Sequence, residues 1–290
     1  MSVFIKKFFI SILALIISIG LSSCVSENVK LAEEAYSNED FERVVELLET
    51  EDGLSNKTNE MLVISMAKIA CDDEKYLDAL DLLLQLKDGK DLDFYTEVKE
   101  NLVQVAIAEA DSKMLVDAIT LDSEIGVFSK DIIIEGCDNY EYDCFKTLYG
   151  MIESLADSEL KDELIKYAGS NKEKRTMAFL VGTWEWQRNC ETNTRVNNIL
   201  YKDNLLATVE TVGDNEKDYQ ILKGDVYWKD FVFIDDNEFT CINLCKTKNG
   251  AAVECMALGE IDYENDSIHL HLTAPEPYVM VDADRNWIRK

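Results

Sequence analysis

The apolar period changes once along this chain, and that change constrains its fold more than any other feature. Up to Arg175 apolar residues recur at three- and four-residue spacing, and both prolines, Pro275 and Pro277, lie far beyond. From Phe179 the texture turns to period two, broken by turn residues. Helices bury a stripe with the first period and strands a face with the second. The expected architecture is multidomain, α then β: a helical region over 27–176, then a small antiparallel β domain over 177–290. A length of 290 residues suits two domains, and an apolar content of 47% can bury two cores.

The N-terminus speaks to location. Lys6 and Lys7 precede Phe8 to Leu21, 14 residues without a charge. A spanning helix needs about 20 apolar residues, so the run is short for an anchor and suits a signal peptide. It ends in Leu21-Ser22-Ser23-Cys24, which resembles the lipobox of bacterial lipoproteins. The resemblance implies that residues 1–23 are a cleaved signal peptide, that Cys24 receives diacylglycerol on its thiol, and that its new amino group is acylated, with palmitate-type chains. Residues 24–26 then form a lipidated tether. Two or more chains give stable anchoring. The protein is expected at the bacterial cell surface, on the extracytoplasmic face of the cell membrane. Val25 is not Asp, which points to the outer membrane if the source has one. A plain secretory signal with an incidental Cys is the alternative.

Charge narrows the partners. The chain has 57 acidic and 29 basic residues, a formal charge of −28. It should repel phosphate backbones, so no nucleic-acid partner is expected.

Within the helical half, Ala32, Phe41 and Val44 are followed 35 positions later by Ala67, Tyr76 and Ala79. This resembles tetratricopeptide repeats, in which small residues let paired helices approach and an aromatic opens the second helix. The resemblance implies a helical solenoid whose first helices line a groove, with Glu34, Asn59 and Lys68 as contacts and a protein or peptide as partner. Ala106, Leu115 and Ala118 mark a degraded third unit, after which the register is lost. Asp131 to Cys137, Tyr142 to Leu155 and Glu159 to Tyr167 still read as helices. A non-repeat helical bundle is the alternative.

The second half offers ten candidate strands: Leu180–Arg188, Arg195–Tyr201, Leu205–Val212, Asp218–Leu222, Val226–Ile234, Glu238–Cys245, Ala251–Gly259, Ser267–Thr273, Tyr278–Val281 and Arg285–Ile288. Short strands at this spacing mean a sandwich or barrel. Gly182-Thr183-Trp184 on the first strand, with Arg285 and Arg289 near the end, resembles the lipocalin-like barrels of the calycin group. There Gly-x-Trp plugs one barrel end and an Arg lies across the Trp. The resemblance implies that Gly182 and Trp184, with Arg289 or Arg285, close the barrel structurally. A barrel of this kind can carry a small apolar ligand, or it can be filled; another β-sandwich is the alternative.

Chemistry is sparse. His269 and His271 share one strand face and are the candidates for a metal, but the sequence places no third ligand. Ile268, Leu270 and Leu272 take the opposite, core face, so outward histidines are expected. Cys71, Cys137 and Cys144 fall at helical positions expected to be buried; Cys190, Cys241, Cys245 and Cys255 belong to the β half. A two-residue turn at Asn249-Gly250 would put Cys245 opposite Glu254 and Cys255 opposite Leu244, so neither faces another thiol. Mostly reduced thiols are expected, with one disulfide as the alternative in an exported protein. No phosphate-binding loop, nucleophile elbow or zincin motif is present, so neither enzyme activity nor a cofactor is expected. The functions left are a membrane-anchored binding or assembly protein and, alternatively, a carrier or sensor of a small apolar ligand.

Overall fold

The computed structural model describes residues 27–290 except 189, 215 and 279–282. Cys24 and the signal segment lie outside the described residues. Among the described residues, ten α-helices precede a closed barrel of eight antiparallel strands. Contacts divide the chain into two units, one ending at Ser129 and one spanning Lys130–Lys290.

The helices are α1 (Glu27–Ser37), α2 (Phe41–Leu48), α3 (Asn56–Asp72), α4 (Tyr76–Leu84), α5 (Asp93–Ala108), α6 (Ser112–Leu121), α7 (Glu124–Asp138), α8 (Tyr142–Ser154), α9 (Glu159–Ser170) and α10 (Lys172–Leu180). In the first unit α1 pairs with α2, α3 with α4 and α5 with α6. The first pair buries Ala32, Ala35, Val44 and Leu48 together with Met61 of α3. Ala67 and Ala79 are fully buried, while Phe41 and Tyr76 are half-buried.

Four helix pairs turn in the same way. Glu39, Glu74, Ala110 and Tyr140 each adopt a left-handed backbone, with φ of 59°, 60°, 50° and 62°. The following amide closes back on Ala35, Ala70, Ala106 and Gly136, at 3.0, 2.8, 2.7 and 2.9 Å. The left-handed residue itself bonds the next carbonyl along, at 3.1, 2.9, 3.0 and 3.1 Å. This double closure satisfies the last helical carbonyls. It recurs at the α7–α8 turn, where the sequence register is lost.

The barrel strands are β1 (Gly182–Trp186), β2 (Arg195–Tyr201), β3 (Asn204–Thr211), β4 (Val226–Phe233), β5 (Glu238–Lys246), β6 (Ala252–Asp262), β7 (Ser267–Thr273) and β8 (Asp284–Arg289). Each pairs with its chain neighbour, and β8 returns to β1. Asp218–Leu222 is not a strand: Lys217–Tyr219 is a single 3-10 turn, and Gln220 takes φ of 56°. Residues 279–281 of the expected strand at Tyr278–Val281 lie outside the described residues.

The barrel interior is filled. Trp184, Trp186, Trp228, Trp287, Tyr227, Phe231 and Phe239 are all buried within it. Trp228 meets Trp287 edge-on at 4.7 Å, and Trp186 stacks on Trp287 at 6.0 Å. Phe239 lies over Gly259 of the neighbouring strand, where an added Cβ would come within 2.3 Å of the ring.

The change from helix to strand falls at 180–182, but contacts group α8–α10 with the barrel rather than with the earlier helices. Arg175 lies between the rings of Tyr149 and Tyr263, 3.8 Å from each. Phe179 meets Tyr142 at 5.0 Å and Tyr263 at 4.9 Å. Lys172 pairs with Asp236 at 2.7 Å. These contacts fasten α8 and α10 to the β4–β5 and β6–β7 turns, so the β domain expected over 177–290 is packed with helices that precede it.

Candidate functional site

The first unit carries a pocket of about 460 Å³ between α1 and α3. Glu33, Tyr36 and Ser37 line it from α1, and Lys57, Glu60, Met61 and Ile64 from α3. Lys57 pairs with Glu33 across it at 3.2 Å. Glu34 and Asn59 do not line this pocket. Lys68 instead lies 3.6 Å over the Phe94 ring and pairs with Glu97 at 3.8 Å.

At one end of the barrel, α10 runs almost directly into β1. Gly182 makes the corner with φ of 129°, a conformation side chains rarely take. The exposed carbonyls of α10 are then bound by barrel residues. Arg289 donates to the carbonyls of Phe179 at 2.8 Å, Ala178 at 3.4 Å and Val181. Trp184 Nε1 and Asn198 Nδ2 both donate to the Leu180 carbonyl, at 2.8 and 2.9 Å. Arg289 stands 5.7 Å from the Trp184 ring, but nearer to Tyr142, at 4.9 Å, and Phe179, at 5.4 Å. Gly182, Trp184 and Arg289 are thus brought together; Arg285 is not among them.

Arg285 lies toward the opposite end. Its guanidinium is 4.2 Å over the Trp186 ring and donates to Tyr227 Oη at 2.7 Å. Tyr227 in turn donates to Glu216 Oε1 at 2.7 Å, and Thr194 donates to the other carboxylate oxygen. A bulge supplies the tyrosine. Ala207 pairs with Trp228 and Thr208 with Val226, so Tyr227 is the extra residue and both it and Trp228 turn inward. Burial, above any neighbour, pushes the Tyr227 phenol well above its ordinary value, so it stays protonated as a donor.

The same cluster contains two thiols the sequence reading kept apart. The β5–β6 loop is longer than two residues: Lys246 pairs with Ala252, leaving Thr247 to Ala251 to turn. Cys245 therefore faces Val253, and Cys255 faces Asn243. A one-residue register shift moves side chains to the other face. Here it puts Cys245 and Cys255 on one face as diagonal neighbours. Cys245 Sγ accepts from Asn243 Nδ2 at 3.3 Å and from Arg285 at 3.8 Å, and it lies in hydrogen-bond contact with the Cys255 thiol. Trp228 Nε1, which can only donate, bonds Asn243 Oδ1 at 3.1 Å. That fixes the amide so that its NH₂ must face the sulfur. The bond from Cys255 pulls the Cys245 thiol below its ordinary pKa against the opposing effect of burial, and the Arg285 charge adds to the fall. Cys255 is pushed up by the same bond and by its own burial.

The remaining candidates are simpler. His269 and His271 project from the outer face, where they bond Asn286 at 2.7 Å and Asp284 at 2.8 Å. Among the described residues no group of three or more His, Cys, Asp or Glu is placed to hold a metal. Cys137 and Cys144 are buried, whereas Cys71 is half-buried. Compared with known proteins, the chain matches no family model, no curated protein and no solved structure.

Proposed function

We propose that this chain is a lipid-anchored extracytoplasmic protein that holds a segment of a partner protein in the groove between α1 and α3. The pocket of about 460 Å³ at that groove carries the reading. Its walls mix an aromatic, two aliphatic residues and charges of both signs, which suits a peptide with apolar and polar side chains. Residues 27–129 hold 26 acidic and 9 basic side chains, a formal charge of −17, so the partner segment is neutral or basic. The repeated turns at Glu39, Glu74, Ala110 and Tyr140 support tetratricopeptide-like repeats. The lipobox at Cys24 supports the anchor.

The filled interior favours this over carriage of an apolar ligand, because seven large aromatic side chains occupy the space a ligand would take. The Gly182–Trp184–Arg289 corner then serves a lipocalin-like barrel as closure.

A photo-crosslinking residue in place of Tyr36 or Ile64 tests the groove in cells of the source organism. A discrete adduct from both positions, absent at exposed Glu46 on α2, is expected. Equal crosslinking at Glu46 would remove the groove as the binding site.

A further inference from the structure

We propose that Cys245 and Cys255 form a reversible dithiol–disulfide couple, with Cys245 as the attacking thiolate and Cys255 as the resolving thiol. Two donors converge on Cys245 Sγ, the Asn243 amide at 3.3 Å and the Arg285 guanidinium at 3.8 Å, and the Cys255 thiol lies in hydrogen-bond contact with the same sulfur. A neutral thiol is a weak acceptor and gains little from two donors, one of them charged. A thiolate accepts both strongly, and it places a negative charge directly beside Arg285. Trp228 holds Asn243 in the orientation that the sulfur needs.

Access and resolution are both in place. Cys245 lines a cavity of about 130 Å³ with Ile221, Tyr227, Lys246 and Ala252, whereas Cys255 is fully buried. A partly exposed thiol beside a guanidinium is the setting of a reactive cysteine, and Cys255 is the adjacent thiol that can resolve it. Diagonal residues on antiparallel strands lie ~7–8 Å apart at Cα. A disulfide prefers ~4.4–6.8 Å. Closing the bond must therefore pinch β5 against β6 beside the Thr247–Ala251 loop. Such a bond is readily reduced again, as a working couple requires.

The co-reactant is an exogenous disulfide, RS–SR′. The Cys245 thiolate attacks one sulfur, R′S⁻ leaves, and a mixed disulfide Cys245–S–SR remains. Cys255 gives its proton to R′S⁻ and its thiolate attacks the Cys245 sulfur. RS⁻ leaves, so the protein has lost two electrons and the small disulfide has gained them. The products, RS⁻ and R′SH, carry the charge and proton that entered.

The test treats the purified full-length chain with glutathione disulfide, then maps thiols by alkylation and peptide mass spectrometry. A Cys245–Cys255 linkage reversed by dithiothreitol is expected. Cys255→Ser should trap one glutathione on Cys245, and Cys245→Ser should take up none at this pair. In the wild-type chain the pH midpoint of iodoacetamide reaction at Cys245 should lie below the ~8.5 of a free cysteine. Arg285→Met should raise that midpoint, and far-UV circular dichroism checks that the barrel remains. An unmodified Cys245 in the folded protein would overturn the proposal. So would a Cys255→Ser chain that traps no glutathione.

Discussion

Arg289 and Trp184 are Cα partners across the strand pair that closes the barrel, yet their shared target is the end of a helix. Both donate to the last carbonyls of α10, Arg289 to Ala178 and Phe179 as well as to Val181 just beyond the helix, and Trp184 to Leu180. The guanidinium reaches the indole only at 5.7 Å. Closure and helix docking are therefore one set of interactions. Trp184→Ala should cost about 3–5 kcal/mol through the cavity it leaves. Arg289→Ala should cost about 2 kcal/mol, since hydrogen bonds from a charged group are lost. The double-mutant cycle should depart from additivity by more than ~0.5 kcal/mol. Additive losses in chemical denaturation would mean that the two residues act separately.

The stacking of Arg175 between Tyr149 and Tyr263 predicts where the chain can be cut. A piece covering 177–290 removes Arg175, Tyr142 and Lys172, all of which touch the barrel. A piece covering 130–290 keeps them. The longer piece should unfold cooperatively, and the shorter should be less stable or aggregate. Equal midpoints for the two in urea would show that α8–α10 add nothing to the barrel.

Local signals were readable from sequence where one residue type does one job. Gly182 and Trp184 stand out because a corner and a large plug need those side chains, and the period change marks where strands begin. The 35-residue spacing of Phe41 and Tyr76 marks two helix pairs. Ala106, Leu115 and Ala118 mark a third pair off that period, and the α7–α8 pair was hidden because the spacing is lost there while its turn residue, like the other three, is not glycine and gives no left-handed signal. The thiol cluster was hidden by loop length. Asn249-Gly250 is a strong two-residue hairpin signal, but Thr247 closes a longer loop onto Ala251 at 2.9 Å. One residue of register then decides which face Cys245 takes. Tyr227 was equally out of reach, because a bulge overrides strict alternation.

The anchor is tested by labelling cells with a fatty-acid probe. The wild-type chain should incorporate label and partition with membranes, and Cys24→Ala should do neither. Residues 27–129 and the barrel would be unaffected, so the mutant should fold and appear in the soluble extracytoplasmic fraction. Equal labelling of both chains would remove Cys24 as the lipid site.

Acid sensitivity of the first unit should centre on Asp122. Its carboxylate is 2% exposed, pairs with Lys90 at 2.7 Å and accepts from Tyr95 and from the Glu124 amide at 3.0 Å. It thereby joins the end of α6 to the start of α7. Burial alone would raise its pKa, but the Lys90 and Tyr95 hydrogen bonds outweigh burial and hold it below the usual value. A carboxyl lowered on folding adds stability that is fully present above its unfolded pKa, about 3.9. That stability is lost as pH falls through the lower, folded value. Asp122→Asn should destabilise the protein by about 1–3 kcal/mol at neutral pH, because Lys90 and Tyr95 lose a charged acceptor. The gap between wild type and Asp122→Asn in urea should be flat above about pH 5 and narrow below about pH 4. Narrowing reports the charge itself, since other carboxylates titrate alike in both chains and cancel in the difference. A gap that stays constant through the acid range would mean that Asp122 contributes by shape and not by its charge.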